Sequence, residues 1–204
     1  TDGIYLSSEK YFDRPEELLA LTAKILPKGI DLEYDGRYEA MFCYKAKNYA
    51  LYDGEKITLK GSALRSRGIE LYLKRLSQSL IYNLLGAGGE VPTDLVLSFR
   101  EEIAQCRTPV AELAKTLNQN PETYERFVAG GGKPRRAPGE VALRMNPRPR
   151  MGDRITYFIV PKEKGQSTNW QRARALEDFD AETVPYDPTF YLKKLEDWVI
   201  KYEP

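Results

Sequence analysis

An antiparallel hairpin is predicted for residues 41–60, which read MFCYKAKNYALYDGEKITLK. Aromatic and aliphatic side chains recur along this segment, and Asp53-Gly54 interrupts them with one of the strongest short-range signals for a hairpin turn. Residues 30–52 favour strands, and Lys56-Ile57-Thr58-Leu59 provides the returning strand. This part of the chain therefore predicts a small antiparallel sheet.

The residues before this hairpin predict one strand and one helix. Gly3-Ile4-Tyr5-Leu6 is short and apolar, and we expect it to be the second strand of a hairpin. Arg14-Pro15-Glu16-Glu17 opens a helical pattern with Pro and acids in the first turn, and Pro27-Lys28-Gly29 ends it. Because Thr1 stands directly before a strand-like segment, we expect the sequence to be a piece of a longer protein.

The apolar spacing becomes helical after residue 61. It predicts helices over residues 69–85, 92–104, 108–118 and 120–127 and near 138–145, a strand near 154–160, and a final helix near 188–202. The predicted fold class is α+β, with a helix and an antiparallel sheet over residues 1–61 and a mostly helical part over residues 62–204.

The composition excludes several classes of site. The chain has 204 residues and no histidine, so a Ser-His-Asp triad, a Cys-His dyad and a His-ligated zinc site are all excluded. Cys43 and Cys106 cannot form a four-thiolate site, and two thiols indicate a reducing compartment, so we expect a cytoplasmic location. No apolar run approaches the roughly 18 residues of a membrane span.

The charge is unevenly distributed along the chain. The totals, 31 Lys+Arg against 30 Asp+Glu, give a net charge of +1. Residues 45–82 carry eight basic and three acidic residues, and residues 133–154 carry seven and two, so each segment has a net charge of +5 in acidic surroundings. Both segments suit contacts with a phosphate backbone, although they are also compatible with ordinary solvated faces.

Five segments resemble motifs of the family B DNA polymerases, in the same order. They are Thr1-Asp2-Gly3 (part of the Asp-Thr-Asp-Gly motif), residues 44–51 (the Lys-x-Tyr motif), residues 60–68 (a Lys/Arg-Gly segment), residues 152–160 (a Gly-Asp-x-Ile-x-Tyr strand) and residues 186–192 (a Tyr-Asp-x-x-Tyr-Tyr-Leu helix start). The resemblance implies the C-terminal part of a polymerase palm over residues 1–61 and a thumb over residues 62–204.

The resemblance also implies a reaction, in which this chain is part of a DNA-directed DNA polymerase. A primer 3′-hydroxyl attacks the α-phosphate of a deoxynucleoside triphosphate, and two Mg²⁺ ions stabilise the attacking and leaving oxygens. By resemblance, Asp2 is one metal-binding catalytic carboxylate, which suits a hard cation that prefers oxygen ligands. The second metal-binding Asp would lie in the missing N-terminal polymerase portion, so we expect the fragment to be inactive alone.

Candidate DNA-binding residues follow from the same motifs. Lys47 and Tyr49 lie two apart on a predicted strand, so they should point to one face and hold the end of the primer. The resemblance extends this set along the primer-template duplex; the further residues are Lys60, Arg65, Arg67, Lys133, Arg135, Arg136 and Arg144. The last four would form the grip of the thumb.

Two other functions remain open from the sequence. One is a duplex DNA-binding subunit or module with no catalysis of its own, which would bind DNA without incorporating nucleotides. The other is a helical protein-interaction domain whose basic segments are incidental, and it would show no salt-sensitive DNA binding.

Overall fold

The structure is a computed structural model that describes residues 4–61 and 68–202, except for the side chains of Lys45 and Tyr202. The helices are α1 (Pro15–Ala23), α2 (Leu71–Leu84), α3 (Pro92–Ala104), α4 (Val110–Leu113), α5 (Pro121–Ala129), α6 (Ala137–Arg144), α7 (Asn169–Arg172) and α8 (Pro188–Tyr202). The strands are β1 (Ala40–Lys45), β2 (Asn48–Tyr52), β3 (Ile57–Lys60), β4 (Lys115–Asn118), β5 (Arg154–Ile159) and β6 (Ala173–Ala175). The structure therefore combines helices with small antiparallel sheets, as the sequence predicts.

The first sheet has the order β1-β2-β3 and is antiparallel throughout. Its second turn lies at Asp53-Gly54, as predicted, because the Asp53 carboxylate accepts backbone hydrogen bonds from Lys56 at 2.7 Å and Glu55 at 3.0 Å. These hydrogen bonds hold the pKa of Asp53 below its ordinary value, and the bond from Lys56 contributes most. The local turn chemistry thus sets the register of β2 and β3.

One face of the first sheet packs against α2. Ala50 is fully buried there against Ile81 and Leu85, with Phe42 and Leu59 half-buried around them. Residues alternate between the two faces of a strand, so Tyr49 and its neighbour Lys60 lie on the opposite face. Leu51 also lies on this opposite face and is only 1% exposed, so the face is covered at Leu51 and polar at Tyr49 and Lys60.

The second sheet has the order β4-β5-β6 and lies in the larger core. Ile155 and Phe158 of β5 are fully buried, and so is Leu195 of α8. The predicted helix over residues 108–118 is wrong beyond Leu113, because Ala114 turns extended and residues 115–118 pair with β5. The hydroxyls of Thr116 and Thr156 lie 3.0 Å apart across this pairing.

Two polar contacts join α8 to the start of α2 and to β5. The Tyr191 hydroxyl accepts the backbone N–H of Ile159 at 2.9 Å, which fixes α8 against β5. The Lys194 ammonium forms an ion pair with the Glu70 carboxylate, whose side chain is only 4% exposed. Glu70 is the N-cap residue of α2, so this buried pair ties the first turn of one helix to the last helix of the chain.

The structure corrects the predictions for the first 39 residues. Residues 4–6 and 31–38 form no strand, because no described segment pairs with them. Helix α1 does begin at Pro15, but it buries no residue fully and ends at Ala23. Several apolar side chains in this part are exposed; they include Ile4, Leu6, Ile25 and Ile30. In the described part of the chain, no helix is both long and apolar enough to cross a bilayer.

Candidate nucleic-acid interface

Lys47 lies in a turn, so the prediction that it shares a strand face with Tyr49 is wrong. Ala46 and Lys47 form the two-residue turn between β1 and β2, and Lys47 has a left-handed φ of 63°. The chain must reverse within these two residues because Lys45 already pairs with Asn48. The Asn48 side-chain amide donates to the Ala46 carbonyl at 2.9 Å and stabilises this reversal. The Lys47 side chain is exposed at the edge of the sheet.

The structure nevertheless brings three of the predicted DNA-binding residues together. Tyr49 and Lys60 are directly paired across β2 and β3, so their Cβ atoms lie about 5 Å apart on one face. Gly61 then follows with a φ of +90°, and a Cβ there would lie 2.3 Å from the Lys47 carbonyl oxygen. Only glycine fits such an approach, which holds the end of β3 against the turn that carries Lys47.

Tyr5 joins this group, although no local sequence pattern predicts the contact. Its hydroxyl donates to the Tyr49 hydroxyl at 3.2 Å, and the two rings meet edge-on with centroids 5.4 Å apart. The hydrogen bond to Tyr49, followed by burial, raises the pKa of Tyr5 to about 12. Tyr5 comes three residues after Asp2 in the sequence, so the contact ties the chain that follows Asp2 to the face carrying Tyr49 and Lys60.

Replacing Tyr49 with Phe is expected to lower the pKa of Tyr5 from about 12 toward its ordinary value near 10. The raised pKa favours the neutral phenol in the folded chain, so its contribution to stability is complete below pH 10 and is lost as the pH rises toward 12. NMR titration of ring-labelled tyrosines would measure the shift, with Tyr5→Phe used to assign the signal. An unchanged Tyr5 pKa in the variant would show that the contact is not formed in solution.

A second basic group precedes α6 and consists of Lys133, Arg135 and Arg136. The Arg135 guanidinium lies 3.3 Å from the Glu140 carboxylate and 5.3 Å from the ring centroid of Trp170. Lys133 and Arg136 are exposed, and their side chains form no ion pair within residues 4–61 and 68–202. The group therefore keeps two uncompensated cations beside one that is held in place.

The backbone under this group is fixed by Tyr124. Its hydroxyl accepts the backbone N–H of Arg136 at 2.8 Å and donates to the Glu140 carboxylate at 3.0 Å. Tyr124 is 3% exposed, and burial raises its pKa. The start of α6 is thereby bound to α5, which gives the three cations a rigid base.

Arg144 lies at the other end of α6, about 12 Å from the first group given the 1.5 Å rise per residue. Its guanidinium donates to the backbone carbonyls of Glu140 at 3.0 Å and Ala173 at 2.9 Å. Burial, and then the nearby Arg174, lowers the pKa of Arg144. The structure thus separates Arg144 from the three cations with which the sequence grouped it.

Three predicted site residues, Asp2, Arg65 and Arg67, lie outside the described residues. Within the described part, no group of three or more Asp, Glu or Cys side chains is arranged to hold a metal ion. The described residues therefore do not make a metal centre among themselves, and a site at Asp2 would need further carboxylates.

Comparisons with known proteins agree with this arrangement of elements. A family model described as DNA polymerase family B matches residues 7–202. The chain is 26% identical over 212 residues to a DNA polymerase of Thermococcus litoralis, covering 95% of this chain and 11% of that protein. It is also 26% identical over 212 residues to DNA polymerase 1 of Pyrococcus abyssi, covering 95% of this chain and 25% of that protein.

A solved structure gives the same result for the fold. The family B DNA polymerase from the archaeon Pyrobaculum calidifontis superposes with a TM-score of 0.64 at 19% identity, over 92% of this chain and 24% of that one. The chain thus spans between 11% and 25% of the lengths of these proteins. Because the family model covers nearly all of the sequence, the chain belongs to DNA polymerase family B.

Proposed function

We propose that this chain is part of a DNA-directed DNA polymerase and holds the primed duplex during synthesis. The observation that carries the proposal is the shared face of Tyr49 and Lys60, with Tyr5 packed against it. This face combines a cation and a phenol beside the segment that follows Asp2. Such a combination can hold the last phosphates of a primer next to a catalytic carboxylate.

The two sheets support a division into palm and thumb. We assign residues 1–61 to the C-terminal part of a palm and residues 62–204 to a thumb. The strands of the first sheet precede Gly61, whereas the second sheet and the residues of the larger core follow it. Helix α2 packs under the first sheet and joins the two parts.

The contacts of this chain with DNA would be insensitive to sequence. Lys47 and Lys60 carry point charges that suit phosphates, and the Tyr49 hydroxyl suits the acceptors of the minor groove. Those acceptors are nearly the same for all base pairs, so a polymerase that reads them can move along any template. Arg65 and Arg67 would continue the same contacts upstream.

The second basic group lies where cations are otherwise unfavourable. Lys133, Arg135 and Arg136 directly precede the N-terminus of α6, which already carries a partial positive charge from the aligned peptide dipoles. Glu140, in the first turn, is the acidic residue that faces them. A phosphate bound here would interact favourably with both the side chains and the helix end. This placement supports a phosphate-binding role for the thumb.

The metal-binding part of the proposal rests on Asp2. Its carboxylate oxygens are the ligand type that Mg²⁺ prefers, and no histidine is required. Two Mg²⁺ ions, when bound, supply stabilisation of the attacking and leaving oxygens of the transferred phosphoryl group. Asp2 would act with carboxylates from the rest of the polymerase, which would also bind the deoxynucleoside triphosphate.

A duplex-binding module without catalysis is the second candidate. It is favoured by the small share of each relative's length that the chain spans. The two candidates differ in one result. Adding the complementary N-terminal polymerase portion should restore primer extension only if Asp2 is a metal ligand.

DNA binding should depend steeply on salt. If the chain neutralises about four phosphates, the logarithm of the association constant should fall against the logarithm of salt concentration with a slope of about −3.6. Fluorescence anisotropy with a labelled primer-template duplex would measure this slope. The variant Lys133→Gln/Arg136→Gln should reduce its magnitude by about 1.8 for two lost contacts.

A matched variant controls for the loss of charge alone. Arg100→Gln/Lys164→Gln removes two exposed cations outside both basic groups, so its slope should remain that of the wild type. A wild-type chain that binds DNA with a flat salt dependence would contradict the proposed function.

A further inference from the structure

The Tyr49 hydroxyl accepts one hydrogen bond and has its own proton left to donate. A phenol hydroxyl carries one proton and two lone pairs that accept hydrogen bonds. The Tyr5 hydroxyl donates to it at 3.2 Å, so one lone pair is used. Among residues 4–61 and 68–202, no atom accepts the proton of Tyr49 itself. The described part of the chain therefore leaves Tyr49 as an unused hydrogen-bond donor.

The direction of this hydrogen bond agrees with the groups around it. Lys60 is the cross-strand neighbour of Tyr49, and its ammonium group has only donors, so it cannot take the Tyr49 proton. The hydrogen bond to Tyr49 is the main cause that raises the pKa of Tyr5 to about 12. Such a rise is expected of a hydroxyl that gives its proton to the bond, because the bond stabilises the neutral phenol. Tyr5 is thus the donor and Tyr49 the acceptor.

The position of the Tyr49 side chain is fixed at both of its ends. Its backbone lies in the middle strand of the first sheet, paired with Cys43 of β1 on one side and Lys60 of β3 on the other. Its ring meets the ring of Tyr5 with centroids 5.4 Å apart and planes inclined by 63°. Edge-on contacts of this kind are favoured because the positive edge of one ring meets the negative face of the other. The sheet thus holds the base of the side chain, and Tyr5 holds its tip.

A fixed donor of this kind suits the acceptors of a base pair. In the minor groove, each correct base pair offers a purine N3 or a pyrimidine O2 at nearly the same position. A hydroxyl that already accepts a hydrogen bond is polarised and becomes a stronger donor. The bond from Tyr5 therefore both aims the Tyr49 proton away from Tyr5 and strengthens the hydrogen bond that Tyr49 can donate.

Tyr5 is also close in sequence to the proposed metal ligand. It follows Asp2 by three residues, whereas Tyr49 follows it by 47. One short segment would therefore carry both the catalytic carboxylate and the residue that holds Tyr49. Through this contact, the position of the primer end would be linked to the position of the metal site.

We infer that Tyr5 is a positioning residue, which holds the Tyr49 hydroxyl as a hydrogen-bond donor to the minor-groove acceptors of the last base pairs of the primer. The inference rests on the proposed function, because it takes a primed duplex as the ligand. It adds a residue that acts through Tyr49 and not through a contact of its own with DNA. The loss of the Tyr5 hydroxyl should therefore matter only where the DNA offers an acceptor to Tyr49.

Extension of two primers by the complete polymerase tests this role. One primer ends in two adenines, and the other has 3-deazaadenine in their place, which lacks the N3 acceptor. Tyr5→Phe keeps the ring but removes the donor, so it should lower kcat/KM about fivefold on the first primer, the equivalent of one ordinary hydrogen bond, and leave kcat/KM on the second primer at the wild-type value. Tyr82→Phe is the matched control, because Tyr82 is 42% exposed against 44% for Tyr5 and its hydroxyl has no partner among the described residues. It should equal the wild type on both primers.

The outcomes separate this role from the proposed function. An equal loss for Tyr5→Phe on both primers would make Tyr5 a purely structural residue, and no loss on either would show that Tyr49 is positioned without it; both results overturn the inference. Tyr5→Phe/Tyr49→Phe should lose no more than Tyr49→Phe alone, and an additive loss would also overturn it. A Tyr49→Phe variant that extends both primers like the wild type would instead contradict the primer contact of the proposed function. Unfolding midpoints by circular dichroism would confirm that each variant is folded.

Discussion

Replacing Asp2 with Asn is expected to reduce primer extension by the complete polymerase about a thousandfold or more. Asn keeps the size of the side chain but loses the negative charge that would hold a divalent cation. Metal coordination stabilises the transferred phosphoryl oxygens by several kcal/mol, and about 4 kcal/mol corresponds to a thousandfold in rate. The measurement is single-turnover extension of a primed duplex at saturating Mg²⁺ and deoxynucleoside triphosphate.

Two comparisons make this result specific. Asp31→Asn removes an exposed carboxylate that has no partner among the described residues, and its extension rate should stay at the wild-type level. Asp2→Asn should also keep the wild-type salt slope of DNA binding, because the change affects chemistry and leaves the phosphate contacts in place. Normal extension by Asp2→Asn would contradict the metal assignment and favour a module that only binds DNA.

Replacing Lys194 with Met is expected to destabilise the fold by about 3–5 kcal/mol. The Lys194 ammonium pairs with the Glu70 carboxylate, whose side chain is 4% exposed. Met fills a similar volume but leaves this carboxylate buried without a cation. Urea unfolding followed by tryptophan fluorescence is a suitable measurement, because the Trp198 indole donates to Ser77 at 3.0 Å between the same two helices.

The buried pair can be separated from ordinary surface pairing by two further variants. Glu70→Gln/Lys194→Met removes both charges and should recover much of the lost stability. Arg107→Met breaks an exposed pair with Glu101, whose side chains are 57% and 65% exposed, and should cost less than about 1 kcal/mol. A Lys194→Met variant as stable as Arg107→Met would show that the Glu70 carboxylate is solvated.

Local signals predicted the elements whose ends are chemically marked. Pro15 with two acids after it starts α1, Asp53 closes the β2–β3 turn through its own carboxylate, and Pro188 starts α8. In each case the residue that marks the boundary in the sequence also takes part in the structure formed at that boundary. The strand at residues 154–159 was equally clear because β-branched and aromatic residues make up most of it.

Elements that depend on distant pairing were not predicted. Residues 115–118 follow a helical spacing of leucines, yet they form a strand because β5 supplies its ladder partners. Lys47 is a residue with no turn preference, and its left-handed conformation follows from the register of β1 and β2. Contacts within the candidate nucleic-acid interface were missed for the same reason. Tyr5 meets Tyr49 across 44 residues, and Trp170 meets Arg135 across 35, so neither contact has a local signal.

The basic segment over residues 133–154 shows both behaviours. The basic character of residues 133–154 was visible in the sequence, but it grouped Arg144 with Lys133, Arg135 and Arg136. Helix α6 instead carries that residue to the opposite end, where Arg174 from β6 joins it. A charge count along the chain thus detected the cations and not their separation by the length of α6.

The unequal cores have a consequence for local unfolding. The cluster between the first sheet and α2 has three fully buried residues, Ala50, Ile81 and Leu85, whereas the cluster around β5 is much larger. Amide hydrogens in β2 should therefore exchange with solvent through openings of lower free energy than those in β5. DNA held by Tyr49 and Lys60 would suppress these openings, so slowed exchange in β2 would mark the bound state without any change in the global fold.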